Sequence, residues 1–250
     1  MSVPSPIIDV PPPPAPMSQP AMIVNTFFAP TKTFQAISQN ASWWMAWLLM
    51  AIVTYAFVYT MDKKIGFDQI TQTEIARSSR ATQFDSLPAD QKEKQMDFAV
   101  KLTRYISYAI PLFSLLAYLV VGAVLMATFN FGLGTEVPFK RALAIAVYAY
   151  LPQTIGAVVG IAGMAGGINP EGFNSRNPVA SNPAYFMDPT VHKSLYALAT
   201  ALDVFSLWTV VLLGIGFAAQ SKVKRSTAIL VVLVWFLVVK LVAAGFAGLG

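Results

Sequence analysis

The sequence predicts an all-α polytopic membrane protein with five transmembrane helices and an amphipathic helical segment in the first exoplasmic loop. Of the 250 residues, 56% are hydrophobic and only 12% are charged, whereas soluble domains carry about one quarter charged residues. Five apolar runs reach or approach the roughly 20 residues that a helix needs to cross the bilayer core. These runs cover about 44–61, 106–129, 143–165, 195–219 and 228–246.

The first apolar run is the shortest, and aromatic residues lie toward both of its ends. Aromatic rings are favoured at the level of the lipid headgroups, so they anchor a short span at both interfaces. The run starts too late for a signal peptide and lacks a basic stretch before it, so we expect it to be retained. The anchoring rings belong to Trp43, Trp44, Trp47, Tyr55 and Tyr59.

Proline and glycine mark the second and third runs. Pro111 and Pro152 should kink or locally open their helices, because proline lacks the backbone N–H that an interior helical position uses. Gly156, Gly160 and Gly163 follow at spacings of four and three residues. Small residues at such spacings allow close contact between transmembrane helices, so we interpret this stripe as a packing surface rather than a ligand site.

The segment before the first run divides into two parts. Residues 1–24 are rich in proline and are predicted to be a disordered cytoplasmic tail, with the membrane domain occupying 25–250. A ligand for a proline-reading domain is the functional alternative for this tail. Phe34 and Ile37 then fall on one face of a short helix, which predicts an interfacial segment along the cytoplasmic leaflet.

Basic residues in the short loops predict the orientation. Six of them collect on the side of the N-terminus and only Arg176 and Lys193 on the other, which favours a cytoplasmic N-terminus and an exoplasmic C-terminus. The loops 62–105 and 166–194 are then exoplasmic, and the expected location is a cytoplasmic (inner) membrane crossed several times. The six residues are Lys32, Lys140, Arg141, Lys222, Lys224 and Arg225.

Both exoplasmic loops contain structural signals. A helix is expected to start near Pro88, and apolar residues then recur at helical spacing into the second run. This helix either rests on the membrane surface or forms part of a solvated helical hairpin that caps the bundle. The second loop, rich in Asn-Pro pairs, forms either an ordered cap or a flexible connection. The spaced apolar residues of the first loop are Phe98, Leu102, Tyr105 and Ile106.

The residues that carry chemistry in enzymes are scarce. The chain has no cysteine and one histidine, His192, so no metal or thiolate site is expected. Its acids lie interleaved with lysines, as on a solvated helix, and no nucleophile with a base stands out. We therefore predict a non-enzymatic protein without catalytic residues or cofactors. Its bases are scattered between apolar runs, so no nucleic-acid partner is expected.

Two charged residues lie inside apolar runs, where charge needs a partner or a function. They are Asp203 in the fourth run and Lys240 in the fifth. Counted from the connecting loop, their depths differ by three residues, or about 4.5 Å along a helix. A lysine stem is long enough to cover that difference. We expect an ion pair in the exoplasmic half of the bundle; the alternative is that Lys240 extends to the surface and Asp203 is hydrated.

Four stretches resemble the Yip (Ypt-interacting protein) domain family of five-span membrane proteins, in particular its bacterial branch. In the stretch that lies in the third span, Tyr148 and Pro152 match the family's Gly-Tyr-x-x-x-Pro pattern, and Val147 stands in place of the glycine. The stretches are FAPTKTF at 28–34, VYAYLP at 147–152, NPVASNP at 177–183 and LDVFSLW at 202–208.

The resemblance implies five spans, a cytoplasmic N-terminus and a role of the membrane-organising, adaptor or trafficking type. Eukaryotic members of the family are linked to vesicle traffic and prenylated small GTPases. The alternative is a small solute or ion transporter or channel that uses polar residues such as Gln153 in the spans. Expected partners are the lipid bilayer and a second copy or other membrane proteins. The structural and functional candidates are Asp203, Lys240, Tyr148, Pro152, Trp208 and Asn130.

Overall fold

The structure is a computed structural model that describes residues 16–78 and 81–249. Within these ranges every regular element is a helix and no strand occurs, which confirms the all-α prediction. The α-helices, numbered in chain order, are α1 (Gln19–Phe28), α2 (Pro30–Ala36), α3 (Trp44–Lys64), α4 (Phe67–Arg77), α5 (Ala81–Asp85), α6 (Ala89–Ala127), α7 (Phe139–Ala149), α8 (Gln153–Ala165), α9 (Lys193–Ala199), α10 (Val204–Gln220) and α11 (Arg225–Leu249).

Four helical units in the described ranges are long and apolar enough to cross a membrane. They are α3, α6 with the π-helical turn Thr128–Gly132 that follows it, α7 together with α8, and α11. The pair α9 and α10 passes the same test together, although it is bent by 55° at a short break. When this bent pair is taken as one span, the protein has the five spans that the sequence predicts.

The two prolines inside spans behave differently. At Pro152 the third span opens: α7 ends at Ala149 and α8 begins at Gln153, as predicted. At Pro111, in contrast, α6 continues without a break. The Pro111 carbonyl accepts hydrogen bonds from the Trp47 indole and the Ser114 hydroxyl. Opening the helix in lipid would expose further backbone groups without partners, so α6 stays closed there.

The fourth span is broken where the sequence predicts a continuous helix over 195–219. A 3₁₀ turn, Thr200–Leu202, follows α9, and Asp203 then adopts an extended conformation. The Asp203 carboxylate accepts a hydrogen bond from the backbone N–H of Ser206 at 2.7 Å. Asp203 therefore begins α10 as its N-cap and does not lie inside a helix, because a capping carboxylate satisfies an otherwise unpaired N–H group.

The segment before the first span also differs from the prediction. Residues 19–24, expected in the disordered tail, belong to α1, because Pro20 lies in the first turn, where a helix tolerates proline. Residues 1–15 of that tail lie outside the described residues. Phe34 and Ile37, expected at the lipid interface, are fully buried in the protein. The interfacial interpretation is therefore wrong for these two side chains, which pack against other helices.

The core consists of two clusters at different depths. The larger one surrounds α7, whose residues from Ala142 to Ala149 are all buried, and it includes residues of α1, α2 and α10. The smaller cluster joins the end of α3, α4, the start of α6 and the end of α8. The buried residues of the smaller cluster are Val58, Met61, Phe67, Ile70, Val100, Met164 and Phe173.

Hydrogen bonds define which segments share an end of the bundle. Arg141 donates to the carbonyl of Ser38, and Arg225 donates to the hydroxyl of Thr31. We call this end, with α1, α2 and the connections at 133–138 and 221–224, the N-side. The other end, with residues 65–78, 81–88 and 166–192, is the loop side. The six basic residues that predict orientation all lie in these segments or in the first turn of the helix that follows a connection.

On the loop side, α4 packs against the first part of α6. Arg104 of α6 lies 3.6 Å from the Asp62 carboxylate and 5.4 Å above the Phe67 ring. This contact agrees with the helical hairpin that caps the bundle rather than with a helix that rests alone on the membrane. Residues Phe98 and Tyr105, on another face of α6, remain exposed.

Candidate functional site

A cavity of about 810 Å³ lies on the loop side of the bundle. Its walls come from the end of α4, the start of α8, the loop 174–182, the break between α9 and α10, and the second half of α11. Gln153 lines it at the bottom, near the middle of the third span, where its amide faces the Thr209 hydroxyl at 3.4 Å. The cavity therefore extends from the loop side to about half the depth of the spans.

One wall of the cavity is apolar. Phe57 and Phe205 line it, and their rings lie against glycines of α8. A Cβ atom on Gly160 would come within 2.7 Å of Phe57, and one on Gly156 within 3.1 Å of Phe205. The glycine stripe of the third span thus allows aromatic side chains of two neighbouring spans to approach α8 closely, as the packing interpretation predicts.

A network of side-chain amides closes the rim. Asn177 and Asn182 exchange amide hydrogen bonds of 3.2 and 2.8 Å, and both are buried. The Tyr196 hydroxyl accepts hydrogen bonds from Asn174 at 2.9 Å and from Asn177 at 3.4 Å. Buried amides need such partners to offset the loss of water. The network favours the ordered cap over the flexible connection for this loop.

An ion pair joins this loop to α4. The Arg176 guanidinium lies 2.6 Å from the Glu74 carboxylate, which also accepts a hydrogen bond from the Ser175 hydroxyl at 3.0 Å. Farther along the loop, hydrogen bonds from the Thr190 hydroxyl and backbone hold the pKa of the Asp188 carboxyl below its usual range, with a smaller contribution from Arg77. Both loops on the loop side therefore contribute charged groups near the mouth of the cavity.

Asp203 lines the cavity at the break in the fourth span. Besides capping α10, its carboxylate accepts a short hydrogen bond from the Ser181 hydroxyl. The Ser181 carbonyl in turn accepts from the backbone N–H of Val204 at 3.1 Å. The carboxylate is thus held by the rim loop and by the start of α10.

Lys240 lines the same cavity but does not pair with Asp203. Its ammonium lies 5.5 Å from the centre of the Phe236 ring, and no acidic group of residues 16–78 or 81–249 is within 4.0 Å of it. The predicted ion pair is therefore wrong. Because Asp203 caps a helix and bonds to Ser181, its carboxylate is already satisfied and is fixed in another direction.

The other predicted candidates lie outside the cavity. The Tyr148 hydroxyl donates to the Ser42 carbonyl at 3.1 Å and so links the third span to the start of the first. Pro152 marks the break between α7 and α8. The Trp208 ring meets the Phe27 ring edge to face at 6.0 Å.

Asn130 also has a structural role and does not line a polar path through the spans. Its side-chain amide donates to the Val137 carbonyl at 3.0 Å, and its oxygen accepts from the Val137 N–H at 2.9 Å. The Thr135 hydroxyl also donates to it. Asn130 thus folds the N-side connection between the second and third spans, and the structure does not bring it near Asp203 or Lys240.

Sequence reasoning missed several charged residues of the cavity. Glu74, Arg77 and Arg176 lie between predicted spans, where charged residues are common. Glu74 and Arg176, which form an ion pair, are about one hundred residues apart in the chain, so no local signal identifies them. The cap at Asp203 did have a signal, since an aspartate directly before an apolar stretch can start a helix. Within the described ranges, no three acidic or histidine side chains are grouped closely enough to hold a metal ion.

Comparison with known proteins gives one match. The sequence matches the family model for the Yip1 domain over residues 24–246, from the middle of α1 almost to the end of α11. Comparison with curated proteins gave no match, and comparison with solved structures gave none either. The matched range contains all five spans, both long loops of the loop side and every residue that lines the cavity except Ala247. The chain therefore belongs to the Yip1 domain family of membrane proteins.

Proposed function

We propose that this protein is a non-enzymatic membrane organiser or adaptor that presents a fixed N-side surface to partner proteins. The observation that carries the proposal is that α1 and α2 each bury one face in the core of the bundle. Met22 and Phe34 are fully buried, and Gln220 at the end of α10 donates to the Phe34 carbonyl. These contacts hold the segment in one position on the bundle, so the side chains that it exposes face partners in a fixed arrangement.

The depth of this insertion supports the proposal. Phe27 of α1 packs against Trp208, which precedes the end of α10 by twelve residues, or about 18 Å along the helix. The N-terminal segment therefore belongs to the membrane-spanning part of the bundle. Polar side chains of α2 and of the residues directly after it remain exposed and available for contact. They include Lys32, Gln35, Ser38 and Gln39.

The proposed orientation places this surface in the cytoplasm and the C-terminus outside it, in the inner membrane of a bacterium. The excess of basic residues in the N-side segments supports this direction. Two of these residues, Arg141 and Arg225, contact the N-terminal segment directly. They fix that segment and the two connections at one end of the bundle, so all of them share one compartment. The partners we propose are a second copy of the chain or other membrane proteins.

Photo-crosslinking in native membranes tests the adaptor role. A photoreactive amino acid at Gln35 or Gln39 should give discrete protein adducts that mass spectrometry identifies. The same group at Lys94, exposed near the start of α6 on the loop side, is the matched control for nonspecific capture. Adducts at Gln35 that disappear when residues 2–16 are deleted would locate the partner site at the tail. Adducts to lipid alone at both N-side positions would contradict the proposal.

A transporter is the second candidate, because the cavity reaches Gln153 near the middle of the third span. A transport path would have to continue from there to the N-side. The fully buried residues Ile145 and Tyr148 of α7 and Phe34 of α2 occupy that direction, which favours the adaptor. Purified protein in liposomes separates the two candidates: solute or ion flux that Asp203→Asn or Gln153→Ala abolishes would support a transporter.

A further inference from the structure

Lys240 places a positive charge inside the membrane-spanning part of α11. It follows the start of the helix at Arg225 by fifteen residues, or about 22 Å, which is less than the bilayer core thickness of about 30 Å. Its side chain is half-buried and faces the loop-side cavity. Its ammonium lies 5.5 Å from the centre of the Phe236 ring. An ammonium in this setting is costly unless an anion offsets its charge.

The other charged groups of the cavity do not supply that anion. Glu74 is paired with Arg176, and the Asp203 carboxylate accepts hydrogen bonds from Ser206 and Ser181. The remaining charges that line the cavity are basic, and the lining carries an excess of two positive charges, of which Asp188, close to Arg77 at the mouth, offsets one. The six ionisable side chains that line the cavity are Glu74, Arg77, Arg176, Lys193, Asp203 and Lys240.

The apolar part of the wall indicates that the anion belongs to an amphiphile. Phe57, Phe205 and Phe246 line the cavity beside the charged groups. Phe246 is 70% exposed, and α11, which bears it, presents most of its surface outward. At this place the wall of the cavity is therefore also the lipid-facing surface of the protein. A ligand that sits here meets the basic groups and the bilayer together.

We propose that the loop-side cavity binds a phospholipid with an anionic headgroup. The headgroup lies beside Lys240, with Arg77 at the mouth, and one acyl chain runs along Phe205 and Phe246 into the bilayer. A volume of about 810 Å³ is in the range of ligand cavities and accommodates a headgroup with part of a chain. This proposal concerns what the cavity binds and does not depend on the adaptor role of the N-side surface.

Native mass spectrometry of the full-length protein in detergent tests the proposal. The probes are phosphatidylglycerol, phosphatidylcholine with the same acyl chains, and inorganic phosphate. We expect phosphatidylglycerol to bind about tenfold more tightly than phosphatidylcholine, since a charge-assisted hydrogen bond contributes enough for one decade in affinity. Inorganic phosphate at equal concentration should not displace it, because it lacks the acyl chain.

Variants assign the binding to the cavity. Lys240→Gln should remove most of the preference for phosphatidylglycerol, whereas Lys240→Arg, which keeps the charge, should retain it. Lys94→Gln makes the same change at an exposed position of α6 and should bind as the original protein does. If Lys240→Gln does not yield folded protein, Arg77→Gln and the lipid selectivity of the original protein decide the question.

Three outcomes would overturn the proposal. The first is equal binding of the two phospholipids by the original protein, which would mean that charge is not recognised. The second is a preference that persists in both Lys240→Gln and Arg77→Gln, which would place the site elsewhere. The third is full displacement of the lipid by inorganic phosphate, which would make the cavity a site for a soluble anion.

Discussion

The ring of Phe34 in α2 lies against Gly216 in α10, where a Cβ atom on the glycine would come within 3.0 Å of the ring. The side-chain amide of Gln220, one turn later in α10, donates to the Phe34 carbonyl. The Thr33 hydroxyl donates to the Met22 carbonyl at 3.0 Å and so joins α2 to α1. These contacts make the N-terminal segment and the fourth span one packed unit.

Gly216→Leu should separate α2 from the bundle. The new side chain would meet Phe34 and also Ile145 of α7, and overpacking of this kind costs about 1–3 kcal/mol. We expect faster proteolysis in the N-terminal segment and a lower thermal midpoint in detergent. Gly245→Leu is the matched control, because nothing lies within 4 Å of a Cβ at Gly245. Equal behaviour of the two variants would contradict the docking of α2 at this glycine.

Asp203→Ala should destabilise the break in the fourth span by about 1 kcal/mol, the usual cost of removing an N-cap. Asp203→Asn and Asp203→Ser should retain most of the stability, since both side chains accept a hydrogen bond from the Ser206 N–H. Thermal unfolding in detergent measures the difference. A loss as large in Asp203→Asn as in Asp203→Ala would mean that the negative charge matters more than the cap.

The pair Asp203→Asn and Lys240→Gln should show little energetic coupling. The two groups line one cavity without forming an ion pair, so the coupling energy in a double-mutant cycle should stay below about 0.5 kcal/mol. The Lys240 change alone should alter stability by less than about 1 kcal/mol, because the lost contact with the Phe236 ring opposes the relief of an unpaired charge. The four proteins are compared by chemical denaturation in one detergent. Coupling well above 1 kcal/mol would restore the ion-pair hypothesis.

Cysteines in place of Glu74 and Arg176 should react with one short bifunctional maleimide. The two side chains form an ion pair of 2.6 Å, and the chain contains no other cysteine, so any intramolecular product is unambiguous. A shift in electrophoretic mobility reports the product. The control pair combines a cysteine at Lys222, on the N-side, with the one at Arg176. The absence of product in the first pair, or its presence in the second, would contradict the arrangement of the loop side.

Single cysteines should report the proposed orientation in intact cells. A cysteine at Arg176 or Lys94 should react with an impermeant maleimide added from outside, since both positions are exposed on the loop side. Cysteines at Ser38 and Lys222 on the N-side should react only after the membrane is permeabilised. The opposite pattern would reverse the orientation while leaving the fold unchanged.

The spans were predictable because each depends on local composition. An apolar run of sufficient length has few alternatives to a membrane helix. Proline alone did not predict where a span breaks, because the third span is interrupted at Pro152 whereas α6 continues through Pro111. The Asp203–Lys240 pair was not predictable by the same means. Counting residues along two helices assumes that both are continuous, and the cap at Asp203 ends that continuity for the fourth span.

The position of α2 shows a second limit of sequence reasoning. Two apolar side chains three residues apart, Phe34 and Ile37, form the same pattern whether they face lipid or the interior of a protein. What decides between the two is the surface that Gly216 and Ile145 offer from other spans. That surface is assembled from distant parts of the chain, and so are the cavity charges contributed by Glu74, Arg77 and Arg176.

The second span continues far beyond the bilayer. Residues Ala89–Gly132 form one helical unit of 44 residues, which is about 66 Å long and so about twice the thickness of the hydrocarbon core. Its first part is held by contacts of Arg104 with Asp62 and Phe67. A push on that part from outside the membrane would be transmitted along the helix axis as a rigid displacement, and the second span would tilt with it.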